Sequence, residues 1–263
     1  MEFGLTGKTA FVSGASSGIG EAIADSLAAE GVRLAICARR RSELNRVASG
    51  IKSRYQTEVY VIPADLSREQ DVAEAAAAAQ NALGTVDILV SNTGGPPSMR
   101  FVDTEQSHWD SAYKLLLASA VGLTRSFLPN MIRRHWGRII YMTSIAVKQP
   151  VENLVLSNSV RSAVTGLSKT LSSEVAGSGI TVNCILTGYT LTNRIDYLAK
   201  QAMASEGITY EQALEKWTSE IPAGRMAQPS EVADVVAFLA SERAAYITGQ
   251  SVAVDGGWIK SLL

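Results

Sequence analysis

Residues 9–30 read TAFVSGASSGIGEAIADSLAAE, and this stretch decides the fold. Thr9 to Val12 is a short apolar run suited to a buried parallel strand. Gly14, Gly18 and Gly20 then punctuate a turn, and Ile19, Ile23 and Leu27 recur every four residues on one helical face. Gly31 follows as a C′ residue. The order is strand, glycine-rich turn, helix. The first glycine permits the tight turn, and the others let backbone approach a pyrophosphate and let the helix pack close to the strand. Amides at the helix N-terminus then face the phosphates. The spacing G-x-x-x-G-x-G departs from the G-x-G-x-x-G dinucleotide fingerprint, so the position at the first strand-to-helix junction carries the reading.

Working outward, Arg33 to Ala38 reads as a second strand with Arg39, Arg40 and Arg41 at its carboxyl end, where open parallel sheets bind ligands. An acid there holds the ribose 2′-hydroxyl of NAD. Ala38 followed by Arg39 instead suits a 2′-phosphate, which predicts NADP(H) over NAD(H). Arg40 and Arg41 also read as a solvated loop. Ser42 is placed to cap a helix through Ile51, Val59 to Ile62 makes a third strand, and Ser67 to Gln70 reads as a capping box opening an alanine-rich helix to Leu83. A fourth strand spans Asp87 to Val90. A long helix from Ser107 to Arg134 carries Trp109, Ala112, Leu116, Ala120, Leu123 and Phe127 on one stripe. Strands follow at Arg138 to Met142 and Ile180 to Leu186, around a helix from Val155 to Ala176, and a last short strand at Ser251 to Val254 follows a helix opening at Pro229. This alternation predicts an α/β fold: a Rossmann-type doubly wound parallel sheet in a single domain over residues 1–263. Residues 189–222 change to amphipathic helix pieces, with Ile195, Leu198, Met203, Leu214 and Trp217 available to cover a pocket, and form the candidate substrate lid.

Charges nearly cancel, 24 Lys and Arg against 25 Asp and Glu, which favours a small-molecule partner over nucleic acid or an anionic membrane. Cys37 and Cys184 lie in apolar strands and read as core packing in a reducing compartment, and their spacing suits no metal site. The N-terminal MEFGLTGKTA has no signal-peptide pattern, and the sequence shows no run of 18 apolar residues. The expectation is a soluble cytoplasmic protein.

Together these features resemble the short-chain dehydrogenase/reductase superfamily over nearly the whole chain. The likeness rests on Ser13 to Gly20, Asp65-Leu66, Asn92 with Gly94, GRIIYMTS at 137–144, GITVN at 179–183 and the C-terminal run Arg225 to Gly257, which is closest to 3-oxoacyl-carrier-protein reductases. The resemblance implies that Gly14, Ser16, Ser17, Gly18, Ile19 and Gly20 cradle the cofactor phosphates and that Asp65 and Leu66 meet the adenine. It also implies that Asn92 and Gly94 line the cofactor, that Gly188, Thr190 and Thr192 meet the nicotinamide carboxamide, and that the chain forms a homodimer or homotetramer through its two long helices and C-terminal segment, with Phe127, Leu128 and Met131 as the candidate apolar patch to be covered.

The same family transfers hydride with an Asn, Ser, Tyr and Lys tetrad. Ser144 matches the Ser, but Ser157 stands at the Tyr position, Arg161 at the Lys position and Leu116 at the Asn position. A serine hydroxyl is shorter and far less acidic than a phenol, whose pKa of about 10 a neighbouring cation can lower. Arg161 cannot release a proton, yet its planar fork can hold the nicotinamide ribose. Leu116 offers no oxygen to a relay water. Dehalogenases of this fold also carry Arg at the Lys position, but they keep the Tyr and abandon the glycines, the reverse of this chain. Two expectations follow: an NADP(H)-dependent oxidoreductase with an atypical proton path, or a non-catalytic NADP(H) binder acting as sensor or structural partner. Tyr189, Tyr113, His108, His135, Lys148 and Glu152 are the candidate replacement donors, each with packing or a solvated surface as its plainer role.

Overall fold

The computed structural model describes residues 2–262. Seven strands, β1 (Thr9–Ser13), β2 (Arg33–Ala38), β3 (Val59–Pro63), β4 (Ile88–Ser91), β5 (Gly137–Ser144), β6 (Ile180–Thr187) and β7 (Ser251–Val254), form one sheet in the order β3-β2-β1-β4-β5-β6-β7. Every pairing is parallel. The strands are apolar on both faces because both are covered. Ala10 and Val12 point into one core, with Ile23, Leu27, Leu44 and Val236, while Phe11 between them points into the other, with Val72, Leu123 and Phe127.

Helices α1 (Gly18–Ala29), α2 (Arg41–Tyr55) and α9 (Pro229–Ala240) contribute to the first core, and α3 (Glu69–Leu83), α5 (Ser119–Arg134) and α6 (Val155–Val175) to the second. The connection leaving β1 runs one way, to β2, and the one leaving β4 runs the other, to β5, so the strand order reverses between β1 and β4. At such a switch point the loops part and leave a crevice at the carboxyl ends.

Several local expectations change. Ser42 does not cap α2, whose N-cap is Arg40 without a side-chain bond, and the helix runs on to Tyr55. Ser67 forms no capping box: α3 opens at Glu69, and the Ser67 hydroxyl donates to Asp65 Oδ1 at 2.8 Å, because a nearby carboxylate is a stronger acceptor. The long helix is α4 (Gln106–Tyr113) and α5 joined by a π turn at Lys114–Ala118. Over Gln106–Arg134 it is long and apolar enough to cross a membrane by length and composition alone, although it contains no unbroken run of 18 apolar residues. Here α5 packs against α3, β4 and β5. Phe127 and Met131 are 1% exposed and Leu128 packs on the same core, so these three side chains form no free surface patch. Residues 189–222 comprise α7 (Asn193–Glu206) and α8 (Tyr210–Ser219), and Met203, expected to cover a pocket, is exposed.

Candidate active site

The carboxyl ends of the strands open on a cleft of about 740 Å³. Its wall begins at the glycine turn. Gly14 has φ +62°, and a Cβ on Gly20 would lie 2.2 Å from the Gly14 carbonyl oxygen. Helix and strand thus approach more closely than any side chain allows. Asn92 braces the turn: its backbone amide donates to Ser13 Oγ at 2.9 Å, and the same hydroxyl lies 2.8 Å from the Asn92 carbonyl. The α1 N-cap, Ser17, is extended and makes no side-chain cap, which leaves the opening amides available to a ligand. Glu21, the acid in that first turn, is paired with Arg46, which also donates to the Ser16 carbonyl.

At the β2 and β3 ends stand Arg39, Arg40, Asp65 and Leu66. Burial would raise the Asp65 carboxyl, but bonds from the Ser67 amide and hydroxyl, with the charges of Arg39 and Arg68, hold it below its ordinary range. An anionic group beside Arg39 therefore meets an arginine without an ion pair among the described residues.

At the other end, Ser144 closes β5 and its Oγ accepts from the Ala146 amide at 3.2 Å, which leaves its proton free to donate. Ser157 and Arg161, one turn apart on α6, both line the cleft. Ser157 makes no side-chain hydrogen bond among the described residues. Arg161 Nη1 donates to the Met142 carbonyl at 2.8 Å. Burial, then the charge of Arg194, pulls its pKa down to about 10, so the guanidinium stays charged at neutral pH.

All the residues read from the sequence as cofactor-lining, Gly14, Ser16, Ser17, Gly18, Ile19, Gly20, Arg39, Asp65, Leu66, Asn92, Gly94, Arg161, Gly188, Thr190 and Thr192, meet in this cleft. Leu116 does not line it. That side chain is 5% exposed inside the π turn, and Ser111 and Leu115 of the same rod reach the cleft instead. Of the candidate donors, only Tyr189 lines the cleft. It stacks on Trp217 at 5.5 Å and meets Trp258 edge-on at 6.2 Å, and burial, with Glu220, pushes its phenol up to about 12. That arrangement is packing with a weak acid at its tip. Tyr113 is 53% exposed, His108 accepts the Glu105 amide in a capping box, and His135 is the left-handed cap of α5.

Sequence reasoning missed Arg194. It lies on the first turn of α7 and lines the cleft, Nη2 donating to the Pro96 carbonyl at 2.9 Å. Its position two residues after Thr192 was the only signal available.

The chain matches the family model described as enoyl-(acyl carrier protein) reductase over residues 14–259. It is 31% identical over 257 residues to 3-oxoacyl-[acyl-carrier-protein] reductase FabG of Aquifex aeolicus, covering 98% of this chain and 99% of the relative. Among solved structures, L-sorbose reductase from Gluconobacter frateurii complexed with NADPH and L-sorbose is 34% identical with a TM-score of 0.95, covering all of both chains. YwfH, an NADPH dependent reductase involved in bacilysin biosynthesis, is 30% identical with a TM-score of 0.92, covering 97% of this chain and 99% of that one.

Proposed function

The chain belongs to the short-chain dehydrogenase/reductase family of oxidoreductases, and from that premise we propose that it binds NADP(H) and reduces a carbonyl, or oxidises the corresponding alcohol, on a small or acyl substrate without the family's Tyr. The observation that carries this reading is one cleft holding together the uncapped amides of α1, the Ser144 hydroxyl and Arg39, which makes no ion pair among the described residues. The similar structures that hold NADPH support the cofactor. When bound, the reduced nicotinamide supplies the hydride.

The chain's own residues supply position and charge. Glycine-turn amides and Arg39 hold anionic oxygens. Arg161, fixed by its bond to Met142, keeps the rest of its fork for the nicotinamide ribose hydroxyls. Ser144 donates to the substrate oxygen, where negative charge grows as hydride arrives. Ser157 is too short and too weak an acid to replace a phenol, and the proton comes from solvent through the cleft. Losing a positioned proton donor costs about 10²–10⁴-fold in rate without abolishing hydride transfer. Residues 189–222 serve as the substrate lid, and the chain assembles as a homodimer or homotetramer.

A second reading, a non-catalytic NADP(H) binder, is favoured by one observation: Leu116 is buried away from the cleft, so the relay's water site has no polar anchor there. Steady-state NADPH oxidation with a panel of ketones and 3-oxoacyl thioesters separates the two. The oxidoreductase reading predicts turnover above background with at least one class. NADPH binding with zero turnover across the panel supports the binder.

A further inference from the structure

Arg194 is a charge held in place without a counter-charge. None of the ion pairs among the described residues includes it. Two contacts fix the guanidinium, over a glycine. Nη2 donates to the Pro96 carbonyl, the carbon of the fork lies 5.1 Å from the centre of the Tyr197 ring, and Gly95 leaves room beneath it. A Cβ on Gly95 would come 3.0 Å from Nη2, so the fork lies close over that stretch of backbone. Nε and Nη1 make no hydrogen bond among the described residues.

The cleft wall contains four arginines, Arg39, Arg40, Arg161 and Arg194, against a single carboxylate, Asp65. Asp65 is engaged by Ser67 at the Arg39 end and leaves the Arg161 and Arg194 end uncompensated. Cofactor phosphates have their own partners in the glycine turn and Arg39. The cleft wall that holds Arg194 also carries the apolar side chains Leu115, Val151, Leu154, Ile195 and Leu198. A fixed planar fork beside an apolar wall matches a carboxylate on an apolar body. Because the side chain is already held, little of its rotamer freedom is lost on binding.

We propose that Arg194 receives the carboxylate of the substrate, so that the carbonyl compounds this cleft accepts are oxo acids with an apolar body. The proposal rests on reading the cleft as a reductase site and names the substrate class for it. Arg194 is then the specificity-determining residue, and Gly95 and Pro96 shape its seat. The charge of Arg161 adds to the field that draws the anion in.

The test uses the full chain saturated with NADP+, which permits binding without reduction. Calorimetric titration compares straight-chain and branched 2-oxo and 3-oxo acids, each against its methyl ester, on wild type, Arg194→Leu and Arg194→Lys. The expected result is that acids bind wild type about 10- to 100-fold more tightly than their esters. Arg194→Leu abolishes that preference, and Arg194→Lys, which keeps the charge without the fork, retains part of it. NADP+ affinity stays the same in all three. The proposal is overturned if no acid binds wild type more tightly than its ester, if Arg194→Leu keeps the preference, or if Arg194→Leu weakens NADP+ itself, which would assign the charge to the cofactor. Failure of the reductase reading looks different: wild type does not bind NADP+, or acids bind through Arg194 and are never reduced by NADPH.

Discussion

Arg39 and Arg161 sit at opposite ends of one cleft, and each is assigned to a different part of the same cofactor. Arg39→Ala is expected to weaken NADP(H) binding by about 1.5–3 kcal/mol, the range for hydrogen bonds to charged groups, and to leave NAD(H) nearly unaffected. Equal affinity of the wild type for NADP(H) and NAD(H), measured by fluorescence titration, would sink that assignment. Arg161→Ala should weaken both cofactors by about the same 1.5–3 kcal/mol, because both carry the nicotinamide ribose. Ser157→Ala should change neither binding nor turnover. If that single change abolished a genuine activity, Ser157 would be a working residue and the proton path described above would be wrong. At this scale the cleft wall was legible because its residues lie in short local motifs, the glycine turn and the residues ending β2 and β4. Arg194 was not legible, since its seat is the carbonyl of Pro96, 98 residues earlier in the chain. Leu116 was located by counting, but counting could not show that a π turn carries it away from the cleft.

The glycine turn is the element on which the site depends. A Cβ at residue 20 would meet the Gly14 backbone oxygen at 2.2 Å, and backbone cannot swing aside as a flexible side chain can. Gly20→Ala should therefore destabilise by about 3 kcal/mol or more and abolish cofactor binding. Urea denaturation showing a loss under about 1 kcal/mol would mean the turn relaxes freely. Helix α6 offers a complementary test. Ser157→Tyr with Arg161→Lys and Leu116→Asn should raise carbonyl reduction, since the first two restore a phenol and an ammonium one helical turn apart on the cleft wall. An unchanged rate with NADPH binding intact would count against proton transfer as the missing step. Strands and helices were readable because short unbroken apolar runs mark buried parallel strands and period 3.6 marks the helices. The caps were not: whether Ser67 caps α3 depends on where the Asp65 carboxylate points, a question of three-dimensional competition. Likewise the π turn keeps the apolar stripe of its rod and leaves no mark in the periodicity.

For the whole molecule, the strand order and the two-sided core follow from the alternation of elements and from the right-handed rule for parallel crossovers. Assembly was less legible. Phe127 and Met131, taken from the sequence as an interface, belong to the core, while Phe101, Val102 and Tyr113 are exposed. Sedimentation at micromolar concentration should show two or four times the 28.0 kDa chain, and a 28.0 kDa species alone would refute the oligomer. In the proposed reaction, hydride passes from NADPH to substrate carbon in a cleft that lacks the family's Tyr. The most direct measurement is reduction with NADPH carrying deuterium on the transferable face of nicotinamide C4, followed by mass spectrometry of the product. The expected result is deuterium on the former carbonyl carbon. Saturating NADPH binding with no deuterium in any product of the carbonyl panel would contradict it.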